Sequence, residues 1–212
     1  MPYTPDFDRL RMPGFRFADE FGEHEIEVHP AGMVVLPTGR VVGFDPLICP
    51  EAEPYTVGVE PGRYPARAWV SLVREPGGSE RRVAALELVV RDEPVARWET
   101  AQVEGRSPAG DDDGGYCVDS ATAALADPVA LAALRGWDED DVLGAFLAED
   151  DGAGRRPIMG LADVVTDEAT GANVLTVTTG WGDGCYQTWI GRTADDRVAS
   201  FLTDFGVLPG KE

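Results

Sequence analysis

The sequence is poor in basic residues. Its 212 residues include 18 Lys and Arg against 38 Asp and Glu, a formal net charge of −20, and Lys211 is its single lysine. A field of that sign repels phosphate backbones, and no basic stripe interrupts it, so nucleic-acid binding is disfavoured. The same field favours solubility and is compatible with a basic protein partner or with cations. Histidine is scarcer still. His24 and His29 are the only two, and on a strand their spacing puts them on opposite faces, where they do not chelate one metal ion.

Cysteine is also sparse. Cys49, Cys117 and Cys185 are odd in number and widely separated, so neither a disulfide framework nor a zinc-knuckle spacing is expected. They read as small buried hydrophobes with reduced thiols. Cys117 lies just before an expected helix start, a setting that stabilises a thiolate. Long apolar runs are missing too: no stretch reaches the length of a membrane span. The opening MPYTPDFDRL lacks the apolar segment of a secretory leader. A soluble, cytoplasmic protein is the expectation.

Hydrophobic residues make up 43% of the chain, enough to bury a core, and its length suits a single domain over residues 1–212. Residues 1–20, rich in Pro, Asp, Arg and Phe, read as an extended arm lying on that domain. From residue 24 the pattern turns to short β-like segments. Pro37-Thr38-Gly39 between two apolar runs signals a hairpin, and the PGRYP segment after Val59 a turn. Arg82–Val90 and Val95–Thr100 read as strands. So do Met159–Val165, Asn173–Thr179, Cys185–Arg192 and Val198–Leu208. SPAGDDDGG (107–115) and EDDGAGRRP (149–157) read as loops by composition. The convincing helical block comes between them. Asp127-Pro128 is an N-cap with proline in the first turn, Asp138 is a second N-cap, and Val142, Leu143, Phe146 and Leu147 share one face. The fold expected is mainly β: an antiparallel sandwich or barrel of roughly nine or ten strands, with a small helical insertion over 119–148.

The segment GWGDGCYQTW (180–189) has the densest glycines. A strand rather than a helix follows it, so it is not a dinucleotide fingerprint. Asp183-Gly184 is a preferred pair for a two-residue hairpin turn. Gly180 and Gly182 fall outside such a turn and suggest a bulge or a close backbone approach beside Trp181. Asp204-Phe205-Gly206 matches a kinase tripeptide but has no catalytic loop or strand lysine to go with it. Carboxylates are plentiful: Asp45, Asp119, Asp127, Asp183 and Asp204 sit at expected strand ends or helix starts. Hard cations such as Mg²⁺ or Ca²⁺ take oxygen ligands, so Asp119, Asp183 and Asp204 are candidate metal ligands. The competing structural roles are N-caps and turn starters, notably for Asp127, Asp119 and Asp45-Pro46.

Taken in order, TGRVVGFDPL, PGRYPARAWV, GYCVDSATAALAD, TGWGDGCYQTWIGR and TDFGVL resemble a bacterial family known as a domain of unknown function. WGDGCY and TDF are the most specific parts. The family pattern favours small glycine-like residues where this chain has Cys117 and Ala121, a departure that weakens a cysteine-nucleophile reading. The resemblance implies no reaction. It groups Gly39, Asp45, Pro46, Pro61, Gly62, Tyr64, Asp119, Ser120, Asp127, Gly182, Asp183, Gly184, Tyr186 and Asp204 as motif positions, several of them polar and in expected turns, which suits a site on one loop-rich rim.

The function expected is an acidic binding module that recognises a partner protein or a small ligand at that rim, of an immunity or accessory kind if the partner is basic. Asp45, Tyr64, Asp119, Ser120, Gly180, Trp181, Gly182, Asp183, Tyr186 and Asp204 are the candidate ligand-binding residues. The alternative is a hydrolase or lyase that uses Asp119, Asp183 and Asp204 as acid/base groups or around a divalent cation. No nucleic acid or membrane partner is expected.

Overall fold

The computed structural model describes residues 3–48, 51–105, 115–147 and 156–211. Cys49, Asp111–Asp113 and most of the 149–157 loop lie outside the described residues. The described strands are β1 (Arg16–Asp19), β2 (Gly22–Leu36), β3 (Val42–Phe44), β4 (Gly62–Glu75), β5 (Gly78–Val89) and β6 (Arg97–Thr100). They continue with β7 (Gly115–Val118), β8 (Thr122–Ala126), β9 (Ala162–Asp167), β10 (Ala172–Thr178), β11 (Gly184–Arg192) and β12 (Val198–Asp204). Three short helices, α1 (Phe7–Leu10), α2 (Pro128–Leu134) and α3 (Glu139–Phe146), complete the list.

All pairings are antiparallel. The large, curled half-barrel sheet has the order β1-β2-β4-β5-β12-β11-β6, with β7 also paired to β11; the second sheet has the order β3-β8-β10-β9. The mainly β architecture matches the sequence expectation, with 12 described strands rather than nine or ten.

Alternation along the strands decides which residues meet. In β4, Ala66, Ala68 and Val70 join the core between the sheets, where they meet Leu125, Leu175 and Val177 of the second sheet. Trp69 points the opposite way, as the period of two requires, and joins Phe7, Leu10, Trp189 and Leu202 on the outer face. The N-terminal segment covers that outer face. Phe7 stacks on Trp98 with ring centroids 4.2 Å apart, and Arg11 reaches the fully buried Glu87 at 3.1 Å. Glu87 also accepts from Arg67 Nε (2.9 Å) and Trp69 Nε1 (2.7 Å), so its buried charge is compensated. The described N-terminal segment is thus a helical turn followed by a hairpin rather than the extended chain expected. On the far side of the second sheet, α2 and α3 bury Leu131, Leu134 and Phe146 against Phe44, Ala126 and Val174.

Four sequence expectations are corrected. Residues 119–148 are not a purely helical insertion, because Thr122–Ala126 forms β8 and pairs with both β3 and β10. Pro37–Gly39 is not a hairpin turn: it carries the chain from β2 in one sheet to β3 in the other. Thr38 fixes it there by donating to Asp127 from its N–H (2.9 Å) and its hydroxyl (2.7 Å). The PGRYP segment is mostly strand, since β4 already begins at Gly62 and pairs with Leu36. The short β-like pattern expected from residue 24 is instead one long strand as far as Leu36, β2, with a register shift between Pro30 and Gly32 that absorbs the proline.

Candidate functional site

One rim of the molecule is built from two connections, β7–β8 and β10–β11, and Asp45 holds the first in place. Asp45 is 1% exposed. Oδ2 accepts the backbone N–H groups of Asp119 (3.0 Å) and Ser120 (2.9 Å). Oδ1 accepts the Ser120 hydroxyl (2.7 Å) and the Leu47 N–H (2.9 Å). Four donors on one buried carboxylate make Asp45 a clamp for the Asp119–Ser120 turn, with none of its bonds left for a ligand. The turn ends at Ala121, which has φ +54°, a left-handed conformation that costs a non-glycine residue energy.

The second connection is not the hairpin that Asp183-Gly184 suggested. It crosses from β10 in the small sheet to β11 in the large one, and neither Asp183 nor Gly184 has positive φ. The tight turn is Thr179–Gly182, closed by the Gly182 N–H donating to the Thr179 carbonyl (3.1 Å). Gly182 needs its glycine for φ +105°. Its carbonyl accepts the Thr179 hydroxyl (2.6 Å) and the Tyr186 hydroxyl (2.5 Å). Gly180 needs its glycine for space, since a Cβ there would sit 2.4 Å from Val207 Cγ2. These roles explain both glycines without a ligand.

Asp183 Oδ1 accepts the Ala121 N–H at 2.9 Å, and the Thr179 N–H donates to the Ala121 carbonyl at 2.9 Å. The two connections are thus bonded to each other, and the strained residue is held from both sides. Burial raises the pKa of the Tyr186 phenol, with the Thr179 hydroxyl lowering it and the Asp183 charge raising it further, so it stays a neutral donor. Trp181 is 36% exposed at the crest. Its ring meets Phe21 of the β1–β2 hairpin at a centroid distance of 4.3 Å, and the Arg82 guanidinium lies over it at 4.5 Å. Arg82 Nη1 also donates to the Gly180 carbonyl (3.2 Å), fixing the crest to β5.

The rim therefore gathers Asp45, Asp119, Ser120, Gly180, Trp181, Gly182, Asp183 and Tyr186. Tyr64 lies elsewhere. Its hydroxyl donates to the Glu60 carbonyl (2.5 Å), and its partner in β2 is Val34. The Asp204 carboxylate faces the outer surface of the large sheet, where it accepts from the Tyr3 hydroxyl at 2.8 Å. The neighbouring Thr203 points inward and bonds Thr188 Oγ1 at 2.8 Å. Among the described residues no group of three or more His, Cys, Asp and Glu is arranged to hold a metal ion, so Asp119, Asp183 and Asp204 do not form one ligand set. Asp127 caps α2, accepting the Val129 N–H at 2.9 Å.

Ser120 has no histidine beside it. His24 bonds Ser71 Oγ (2.8 Å) and Asp19 Oδ1 (2.9 Å), while His29 bonds Glu27 (3.0 Å). The Ser120 hydroxyl instead donates to Asp45, which orients the turn rather than activating a nucleophile. What the rim presents outward is Asp119, Asp183, Trp181 and Phe21, all exposed.

Two features escaped the sequence reading. Phe21 gave no signal in the sequence, and the structure puts it at the tip of the β1–β2 hairpin. Cys117 and Cys185 are directly opposed on β7 and β11 and form a disulfide, with Cα atoms 3.9 Å apart. Reduced thiols were expected at both, and that expectation is corrected: the two strands bring together cysteines 68 residues apart in sequence, a proximity that spacing cannot reveal. The disulfide braces the strands that lead into both rim connections.

A curled antiparallel sheet backed by a second sheet, with two bonded connections presenting aromatic and acidic side chains at one rim, defines a β-rich protein with a loop-borne candidate site. The chain belongs to the family described as Protein of unknown function (DUF4241), which matches residues 34–203. Comparisons with curated proteins and with solved structures find no significant match.

Proposed function

We propose that this protein is an acidic binding module that engages a basic protein partner through the rim around Trp181. The carrying observation is that Trp181 and Phe21 stand 36% and 46% exposed and yet their rings pack on each other at a tilt, with Arg82 bracing Trp181. Rigid, exposed aromatics lose little entropy on binding and dominate interface energetics. Asp119 and Asp183 flank them with negative charge, and the net charge of −20 attracts a basic surface at long range. An immunity or accessory role in a bacterial cytoplasm suits such a module. A reducing compartment opens most disulfides, so in that setting the Cys117–Cys185 bridge would stand open.

Affinity capture with the wild-type chain and with Trp181→Ala, at matched thermal stability, tests the reading. Wild-type protein retains basic partners at low salt and releases them as ionic strength rises, and Trp181→Ala loses them. Equal capture by both chains overturns it.

A further inference from the structure

A second candidate site lies at the other end of the large sheet. Along β11, Gly184 marks the Trp181 rim and Arg192 the far end, about 26 Å away at the usual rise per strand residue. There the loop before β4, the loop after β5 and the β11–β12 turn enclose a cleft of about 580 Å³. That volume is in the range of small-molecule sites.

The walls of the cleft are of two kinds. Val59, Val90 and Val198 give partly buried apolar surface beside the Tyr64 ring. The remaining side chains are charged, and most are already satisfied. Arg192 donates to Glu99 (2.6 Å) and to the Asp196 carbonyl (3.0 Å). Arg197 donates to Glu93 (2.8 Å), and Asp196 is paired with Arg97. Arg91 and Glu60 differ, since neither side chain has a hydrogen-bond or ion-pair partner among the described residues. Both are close enough to Tyr64 to act on its phenol. Burial raises its pKa most, the Glu60 charge adds to that, and the Arg91 charge opposes it.

Their backbones are fixed. The Arg91 N–H donates to the Ala199 carbonyl (2.9 Å), and the Glu60 carbonyl is held by the Tyr64 hydroxyl. The turn on the third side is also held, with Asp196 at φ +64° and its N–H donating to the Thr193 carbonyl (3.0 Å). The cleft thus offers one unpaired cation and one unpaired anion, both near the Tyr64 phenol, together with apolar valine surface in its lining.

We propose that this cleft binds a small amino-acid-like zwitterion with an apolar side chain. Arg91 takes the carboxylate, Glu60 takes the ammonium, and the valines and the Tyr64 ring take the apolar part. A simple anion is the weaker candidate. It would leave Glu60 unmatched, and a chain of net charge −20 repels it, whereas a zwitterion of zero net charge meets no such barrier. This site is independent of the Trp181 rim, and neither proposal depends on the other.

The test is titration of the wild-type chain, followed by calorimetry and by amide chemical shifts, with three probes: L-leucine, 4-methylpentanoate and 3-methylbutylamine. The expected result is saturable binding of L-leucine, with the two single-charge probes each weaker by about tenfold or more, as loss of a charge-assisted bond implies. Arg91→Ala and Glu60→Gln each weaken L-leucine by a similar factor, while Arg63→Ala, an exposed β4 position outside the cleft, leaves it unchanged. Arg91 and Glu60 are both surface side chains, and unchanged melting temperatures confirm that the variants fold. Absence of saturable L-leucine binding overturns the proposal. So does 4-methylpentanoate binding as well as L-leucine, or insensitivity of L-leucine binding to both variants.

Discussion

The Asp183 carboxylate accepts the Ala121 backbone N–H at 2.9 Å, tying the β10–β11 crossover to the β7–β8 turn. Ala121 sits at φ +54°, so this bond, with Thr179 on the Ala121 carbonyl, keeps a disfavoured conformation in place. The rim is held by such contacts rather than by regular strand pairing.

Ala121→Gly is expected to stabilise the fold by up to about 1 kcal/mol, because glycine adopts positive φ without a Cβ penalty. Asp183→Ala is expected to destabilise it by about 1 kcal/mol, the ordinary net worth of a hydrogen bond. Urea midpoints of the two single variants and of the double variant check both. If the bond serves to hold the strained residue, Asp183→Ala costs less in the Ala121→Gly background.

Asp45→Ala leaves the Asp119 and Ser120 N–H groups and the Ser120 hydroxyl without their shared acceptor. A loss of about 3–5 kcal/mol is expected, since several donors to a buried charge are orphaned together. Hydrogen exchange read at Asp119 and Ser120 locates the effect. Faster exchange confined to that turn, ahead of global unfolding, is the expected pattern.

Burial raises the Asp204 carboxyl pKa to about 6 from 3.8, with the Tyr3 hydroxyl and Gly206 N–H pulling the other way. A pKa raised in the folded state means that the native form holds the proton more tightly than the unfolded chain. This contribution is therefore complete below about pH 4 and is lost as pH rises through about 6, amounting to about 3 kcal/mol at most. Buried Glu87 acts in the opposite sense. Burial pushes its pKa up, but Arg67, Arg11 and Trp69 outweigh that and lower it. The informative quantity is thus the difference between wild type and Asp204→Asn. Between pH 8 and pH 5 that difference is expected to move in favour of wild type, and a constant difference in denaturation midpoint would count against the raised pKa.

With Cys117 and Cys185 bonded to each other, alkylation under non-reducing, denaturing conditions is expected to label one of the three cysteines, and all three after reduction. Removing the bridge by Cys117→Ser with Cys185→Ser is expected to cost about 2–4 kcal/mol, given the long loop it closes. Reductant is expected to lower the wild-type urea midpoint towards that of the variant and to leave the variant unmoved.

Features set by neighbouring residues were legible in the sequence. Asp127 caps α2 ahead of Pro128, and Asp138 caps α3 by accepting the Asp141 N–H at 2.9 Å, because capping is decided within a few residues. The β11–β12 hairpin also falls where alternation and the Thr193–Asp196 turn put it. Turns that pass between sheets were not legible. Pro37–Gly39 and Asp183-Gly184 have hairpin composition, but a turn motif states only that the chain bends, not which strand receives it. The candidate site divides the same way. Gly180, Trp181, Gly182 and Asp183 were recognised as one group because they are consecutive, and the placements of Tyr64 and Asp204 away from them depended on register and strand face.

The sequence alone determined a β-rich chain, its helix caps, its acidic field and the short motifs from which the rim is made, all consequences of local pattern and composition. The tertiary structure decided that Asp45 is a clamp and that Gly180 serves close packing. It also decided that Cys117 meets Cys185, and that Phe21 and Arg82 come to Trp181. Each of these pairs partners tens of residues apart, or relieves contacts that exist only when two sheets close on one another. Strand order and register fix such distances, and no local spacing encodes them.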